Sequence, residues 1–146
     1  MKITIRKSDY DKIYEHALNE RPNEACGLIA GCDRDGVRHI QKVYLLTNVD
    51  HTNEHFSIDP KEHLAAVKDM RANSLVPLGN WHSHPESPSR PSDEDKRLAN
   101  DSSASYLILS LEKEGEPVLN AFHIEGKEGE REVRKENLII EENENG

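Results

Sequence analysis

Residues 81–95 read WHSHPESPSRPSDED, and the side chains able to carry chemistry are concentrated in this stretch. The mostly apolar residues 75–80 before it predict a strand, and the prolines within it prevent regular strand pairing beyond that point. Side chains two residues apart in a strand point to the same face, so His82 and His84 leave it together, with Cβ atoms roughly 6 to 7 Å apart. Two imidazoles so placed can bind one metal ion.

The stretch ends in Ser92-Asp93-Glu94-Asp95, which offers a carboxylate as a third ligand. A serine three residues before an acid is also a helix N-terminal capping pattern. In a helix that begins at Ser92, Asp95 points back over the N-terminus, whereas Asp93 and Glu94 splay outward by about 100° per residue. We therefore expect Asp95 to be the ligand. Taken alone, a His-x-His pair or a capping pattern is more typical of structure than of function, and only the spacing of the whole indicates a site.

That spacing resembles the signature of the JAMM (MPN-plus, JAB-domain) zinc metalloproteases, in which His-x-His-Pro precedes Ser-x-x-Asp. The family also carries an upstream glutamate in the pattern Glu-x-Cys-Gly-x-x-x-Gly, and residues 24–31 read EACGLIAG. The resemblance covers roughly residues 3–124, although only these two blocks are specific. It implies a single-domain α/β fold: an α-β-α sandwich around a mostly antiparallel mixed sheet, related to the cytidine deaminases.

The resemblance also implies the roles of the site residues. His82, His84 and Asp95 would bind one Zn²⁺ that keeps a water molecule in its fourth position, although the same ligand set also suits cobalt, iron or manganese. Glu24 would be the general base that takes a proton from that water. Ser92, besides capping its helix, would donate a hydrogen bond to the oxyanion of the tetrahedral intermediate.

The other histidines and Trp81 have weaker signals. His51 and His55 lie in a polar segment before the second predicted helix and stay candidates for supplementing the site. Trp81 could line a substrate groove or pack beneath the strand; because position 81 alternates with position 82, we expect its indole to pack on the face away from the metal. The remaining histidines lie in amphipathic elements and are interpreted as surface residues or satisfied partners: His16, His39, His63 and His123.

The substrate class comes from the resemblance. It implies hydrolysis of a peptide or isopeptide bond after the C-terminal Gly-Gly of a ubiquitin-like protein, whose extended tail adds to a sheet edge. The short connections between the two blocks and after Asp95 are typical of a minimal, prokaryote-type member, which favours a small sulfur-carrier protein as partner.

Three other functions are possible for the site. A catalytically silent scaffold of the MPN-minus kind is disfavoured, because such a scaffold would normally have lost metal ligands and this chain keeps all of them. A zinc-binding MPN scaffold or interaction module without catalysis would need His82, His84 and Asp95 but not Glu24. A zinc deaminase is disfavoured because its His-x-Glu and Pro-Cys-x-x-Cys ligand patterns are missing.

Length, charge and hydropathy limit the classes of protein to which this chain can belong. The 146 residues suit one domain, and we expect a catalytic domain over 1–140 with a disordered acidic tail over 141–146. A net charge of −9 without a basic stripe argues against nucleic-acid binding. Without an apolar run near the roughly 20 residues of a membrane span, and without a signal-peptide pattern, we expect a cytoplasmic protein. Cys26 and Cys32 are expected to be reduced thiols in or near the core. The sequence is compatible with either a monomer or a homodimer.

Hydrophobic periodicity and turn residues predict the elements around the two blocks. Ser8 is expected to cap the first helix, and Asp59 with Pro60 to open the second, which would bury Leu64, Val67 and Met70. The charged run over 125–136 is interpreted as a solvated hairpin. Strands are predicted over 2–6, 26–32, 37–46, 54–58, 75–80, 106–111, 118–124 and, as an edge strand or docked segment, 138–140; helices are predicted over 9–19, 60–73 and 92–100.

Overall fold

The computed structural model describes residues 1–142, which form seven strands and three helices. The α/β class and the predicted elements other than 54–58 are confirmed. In chain order the elements are β1 Lys2–Arg6, α1 Lys7–Glu20, β2 Cys26–Arg34, β3 Val37–Leu46, α2 Pro60–Ala72, β4 Val76–His84, α3 Asp93–Leu98, β5 Ser105–Ser110, β6 Val118–Glu125 and β7 Glu132–Glu141.

The seven strands close into a barrel in the order β1-β3-β2-β4-β5-β6-β7. Three neighbouring pairs are parallel (β1 with β3, β1 with β7, β4 with β5), and the other four are antiparallel. The mixed, mostly antiparallel sheet is as expected, but its closure differs from an open sandwich. A relation to the cytidine deaminases stays a prediction.

Closure of the barrel corrects the prediction for the C-terminal strand. Residues 138–140 do not form an edge, because β7 pairs antiparallel with β6 on one side and parallel with β1 on the other. Glu136, predicted to lie in a solvated hairpin, is buried in β7 and accepts a hydrogen bond from the Ser105 hydroxyl. The expected disordered tail over 141–146 begins with the last residue of β7, Glu141, and its residues 143–146 lie outside the described part of the chain.

Two of the helices pack on opposite faces of the sheet. Ile13 and Ala17 of α1 lie in the main hydrophobic core with Val43 of β3. Met70 of α2 packs in a second cluster with Tyr44. Because consecutive residues of a strand point to opposite faces, Val43 and Tyr44 place α1 on one side of the sheet and α2 on the other. None of the helices over residues 1–142 has the length and apolar character needed to cross a membrane.

The main core explains the glycine in the upstream block. Trp81 is fully buried there, and its indole N–H donates to the Tyr44 carbonyl oxygen at 3.0 Å. A Cβ atom on Gly27 would lie 1.7 Å from that oxygen and 2.2 Å from the indole nitrogen. Only glycine leaves room for this close approach. The expected packing of Trp81 away from the metal face is therefore confirmed.

Other local predictions have mixed outcomes. Cys26 is buried and Cys32 partly buried, and both are free thiols, as expected. The first helix follows β1 without a linker, so Arg6 occupies the N-cap position without a side-chain hydrogen bond, and the prediction that Ser8 caps the helix is wrong. Leu64 is 56% exposed because the buried stripe of α2 runs through Ala66 and Met70.

The segment 54–58 does not form the predicted strand. Its only ladder contact among the described residues is an isolated bridge between Asn48 and Ile58, supported by the Val49 N–H, which donates to the Ser57 carbonyl oxygen at 2.9 Å. The prediction that Asp59 caps α2 is confirmed, since its carboxylate accepts from the Lys61 N–H at 2.8 Å.

Candidate metal centre

Strand β4 holds both histidines of the first block on one rigid support. It lies between β2, with which it pairs antiparallel, and β5, with which it pairs parallel, and the register aligns Cys26, His82 and Ile108 across the three strands. His82 and His84 are 2% and 4% exposed. Both imidazoles therefore converge on the same side of the strand with little freedom to move.

Helix α3 brings the carboxylate of Asp95 to the two imidazoles. Its Oδ2 atom lies 2.9 Å from Nε2 of His84 and 3.2 Å from Nε2 of His82, and the two Nε2 atoms are 3.2 Å apart. Two ligand atoms of a tetrahedral zinc site, each about 2.0 to 2.1 Å from the ion, lie about 3.3 Å apart. The triangle of ligand atoms thus fits one such ion.

The orientation of His84 supports metal binding. Its Nδ1 lies 2.9 Å from the carbonyl oxygen of Pro88, a contact in which Nδ1 carries the proton and donates it. Nε2 then keeps its lone pair and points into the triangle. The proline-rich loop thus selects the tautomer that a metal ion needs.

His82 is held differently. Its ring stacks on Phe56 with ring centroids 4.8 Å apart and an interplanar angle of 27°. Its Nδ1 is buried and has no hydrogen-bond partner among the described residues. Stacking rather than a second hydrogen bond therefore orients this imidazole.

Asp95 takes part in a capping box at the start of α3. The Asp95 N–H donates to the Ser92 hydroxyl oxygen at 3.0 Å, and the Ser92 N–H donates to Oδ2 of Asp95 at 2.9 Å. Burial raises the pKa of Asp95, but His82, His84 and the Ser92 N–H outweigh it and hold the pKa well below its usual range. The rival Glu94 instead pairs with Arg97 on the outer side of the helix.

Glu24 lies two residues before the start of β2 and is 3% exposed. Burial raises the pKa of its carboxyl group to about 8, with a lowering contribution from His84 and a raising one from Asp95. Oε1 has no hydrogen-bond partner among the described residues. The structure therefore puts an uncommitted carboxyl group within electrostatic reach of the triangle.

The core face of β4 fixes the chain next to Glu24. The hydroxyl oxygen of Ser83 accepts from the Ala25 N–H at 2.8 Å, and the Ser83 N–H donates to the Ala25 carbonyl oxygen at 3.0 Å. Ser83 thus joins the two distant sequence blocks directly.

A cavity of about 520 Å³ opens beside His82 and Asp95. The segment 55–58 forms one wall, and the end of α3 with Leu98 and the ring of Tyr106 contributes the other side. Sequence reasoning missed Phe56 and Tyr106, because neither belongs to a motif and only the folded chain brings them to the site.

The remaining histidines take other roles. Among residues 1–142, the group able to hold a metal ion consists of His82, His84 and Asp95 and does not include His51 or His55. Nδ1 of His55 instead lies 3.0 Å from the Asp50 carboxylate. His16 and His123 contact backbone carbonyl oxygens, and His39 contacts the Thr4 hydroxyl, in agreement with their interpretation as satisfied partners. His63 lines the cavity.

Residues 6–124 match the family model described as prokaryotic homologs of the JAB domain. The chain is 27% identical over 122 residues to the CysO-cysteine peptidase of Mycobacterium tuberculosis, covering 84% of this chain and 82% of that protein. It is 29% identical over 114 residues to the desampylase of Haloferax volcanii, covering 75% and 81%.

The solution structure of protein DSY2949 from Desulfitobacterium hafniense is similar to this fold. It has a TM-score of 0.87 and 48% sequence identity, with 97% of this chain and 94% of that chain covered. The family match spans most of the chain and contains Glu24, both histidines, Ser92 and Asp95. The chain thus belongs to the prokaryotic homologs of the JAB domain.

Proposed function

We propose that the protein is a zinc-dependent peptidase that hydrolyses a peptide or isopeptide bond after the C-terminal Gly-Gly of a ubiquitin-like protein, with a small sulfur carrier as the first candidate. The observation that carries the proposal is the convergence of three ligand atoms within 3.2 Å beside the buried carboxyl group of Glu24. Three electron-rich atoms this close repel one another unless a proton or a cation lies among them.

A zinc ion held by His82, His84 and Asp95 supplies Lewis-acid chemistry, since it lowers the pKa of water and polarises a carbonyl group. The residues around it provide the proton transfers. A positive charge in the triangle favours the carboxylate form of Glu24 over the protonated form that burial favours. Glu24 can then accept a proton from the attacking water.

The same group completes the reaction. As the C–N bond breaks, the protonated Glu24 donates its proton to the departing amine nitrogen, so the carboxylate is regenerated. Burial raises the pKa of Glu24 and a positive charge in the triangle opposes that rise, and these two opposed effects suit a group that must both accept and release a proton.

Ser92 is proposed to stabilise the oxyanion. Its oxygen accepts the Asp95 N–H within the capping box, which leaves the hydroxyl hydrogen available to donate. The side chain lies at the exposed end of α3, so a substrate carbonyl can reach it. The cap fixes the position of this donor in advance.

The substrate tail is proposed to occupy the cavity beside His82. The closed barrel offers no free strand edge among its seven strands, so addition to the sheet is restricted to the loosely paired segment 54–58 that borders the cavity. The names CysO-cysteine peptidase and desampylase, borne by relatives at 27% and 29% identity, support a small ubiquitin-like or sulfur-carrier partner.

The test is cleavage of a ubiquitin-like sulfur carrier that bears residues beyond its Gly-Gly, with metal content measured on the same sample. We expect cleavage after Gly-Gly that a chelator abolishes and added zinc restores. Glu24→Gln should retain one zinc per chain and lose about 10²- to 10⁴-fold in kcat, because only the proton acceptor is removed.

Glu20→Gln is the matched control, since it makes the same chemical change at the end of α1 and should leave kcat unaltered. Full activity of zinc-loaded Glu24→Gln would remove Glu24 from this role. Bound zinc without cleavage of any Gly-Gly substrate would instead favour the second candidate, a zinc-binding scaffold without catalysis, which needs the three ligands alone.

A further inference from the structure

Asn48 is a buried polar residue that the proposed chemistry does not use. It follows the end of β3 and is 4% exposed. Its amide nitrogen donates to the carbonyl oxygen of Glu24 at 3.0 Å and to that of His55 at 3.1 Å. Its amide oxygen accepts from the N–H groups of Asp50 and Ser57 at 3.0 and 3.1 Å.

These four bonds fill the hydrogen-bonding capacity of the side chain. A primary amide has two donor hydrogens and two acceptor lone pairs, and all four are paired with backbone groups. A carboxylate of the same shape could accept from Asp50 and Ser57 but could not donate to Glu24 and His55. The position therefore selects asparagine for its combination of donors and acceptors.

The loop that Asn48 organises contacts the site at two places. The Glu24 N–H donates to the Thr52 carbonyl oxygen at 2.7 Å, so both backbone groups of Glu24 bind this loop. Phe56 of the same loop stacks on His82, and residues 55–58 line the cavity. The cavity wall and the backbone of the proposed general base are thus one hydrogen-bonded unit.

We propose that Asn48 is a positioning residue that locks the cavity-lining segment 55–58 to the backbone of Glu24, so that the cavity wall and the carboxyl group hold one shared geometry. The effect on turnover rests on the proposed function, whereas the lock itself is a property of the folded chain. A misplacement of about 1 Å in a catalytic group costs about 10²-fold in rate.

The first test uses hydrogen exchange in the unmodified, zinc-loaded protein. The protection factors of the Glu24, Asp50 and Ser57 N–H groups should agree within about threefold, because we expect these groups to become exposed to solvent in one cooperative opening. A Ser57 N–H that exchanges about 100-fold faster than that of Glu24 would show that the loop opens alone and would overturn the proposal.

The second test compares Asn48→Ala and Asn48→Asp with the control Thr47→Val. Thr47 is the adjacent residue and donates its hydroxyl to Glu62 of α2 rather than to the site. We expect each Asn48 variant to lower the protection of the Glu24 N–H about tenfold or more, since the hydrogen bond from Asn48 to the Glu24 carbonyl oxygen is lost and the loop that carries Thr52, the acceptor of this N–H, is held less firmly. Thr47→Val should leave that protection unchanged.

Enzyme kinetics distinguish a role of Asn48 in positioning Glu24 from a role in folding alone. Zinc content should stay close to the unmodified value in the Asn48 variants, while kcat falls about 10- to 100-fold because Glu24 is misplaced, and KM rises because the same bonds hold the cavity wall. Unchanged kcat with unchanged Glu24 protection would overturn the proposal. If the unmodified protein cleaves no Gly-Gly substrate, the proposed function fails, while the exchange data still decide whether Asn48 holds Glu24.

Discussion

The two faces of strand β4 near its end are built from adjacent residues but differ in what they contact. His82 and His84 point to one face, where imidazole nitrogens meet the Asp95 carboxylate. Trp81 and Ser83 point to the other, where both side chains are fully buried and meet the backbone of Tyr44 and of Ala25. The first face concentrates groups that need a partner, whereas on the second the indole N–H and the hydroxyl oxygen are hydrogen-bonded to backbone groups.

The difference shows how a rigid support carries a reactive site. Polar groups on the core face are paired with backbone atoms of distant segments, at Tyr44 in β3 and at Ala25 before β2, which stabilises one conformation. That conformation in turn forces the repelling atoms of the metal face to stay close together. The metal face is therefore expected to govern activity, and the core face to govern stability.

The largest effect is expected from a substitution that disrupts the metal face but leaves the core face intact. Asp95→Asn removes the carboxylate but keeps its size, so zinc content should fall below one per chain and cleavage by about 10⁴-fold, with the fold retained. Asp93→Asn makes the same change two residues earlier and should retain zinc and activity. Metal analysis and cleavage rates on both variants check this, and a zinc-loaded, active Asp95→Asn protein would contradict it.

Breaking the core face should give the opposite pattern. Trp81→Ala removes a fully buried side chain and should lower the free energy of unfolding by about 3 to 5 kcal/mol, measured by urea denaturation. The protein that stays folded should still bind one zinc. Trp81→Phe loses the indole N–H but keeps most of the volume, so its free energy of unfolding should lie between those of Trp81→Ala and the unmodified protein. Loss of zinc from folded Trp81→Phe would show that the two faces are not separable.

Glu24 is linked to both faces of β4. Its carboxyl group interacts electrostatically with His84 and Asp95 of the metal centre, and the next residue, Ala25, is hydrogen-bonded to Ser83 on the core face. Burial raises its pKa to about 8, so the folded metal-free protein holds a proton that the unfolded chain releases near its ordinary value of 4.5. Stability of the metal-free protein should therefore fall as pH rises through this interval.

The measurement compares Glu24→Gln with the unmodified protein in chelator. Glu24→Gln removes the ionisable group, so the free energy of unfolding of this variant should exceed that of the unmodified protein only slightly at pH 4.5 and by roughly 4 kcal/mol at pH 8. Glu15→Gln, which changes an exposed carboxylate of α1, is the control for charge alone. A pH-independent difference would mean that Glu24 is not buried as the structure has it.

The helices and strands next to the two blocks were predictable, because local patterns encode them. Alternation predicted β1, and Asp59-Pro60 predicted the start of α2. The predictions that failed concern residues whose environment is set by distant segments. Residues 138–140 looked like an edge strand until β1 closed the barrel beside them, and Glu136 looked solvated although Ser105 pairs with it across the sheet.

The sequence by itself determined which groups can meet at the site, since the spacing of His82, His84 and Asp95 follows from a strand, a proline loop and a helix cap. Only the tertiary structure decided what surrounds those groups. Phe56 against His82, Ser83 against Ala25 and Asn48 against Glu24 are contacts between segments far apart in sequence or without a motif. The physical reason is that local periodicity sets the direction of a side chain, whereas its burial, its pKa and its partners arise from packing between segments that no local pattern connects.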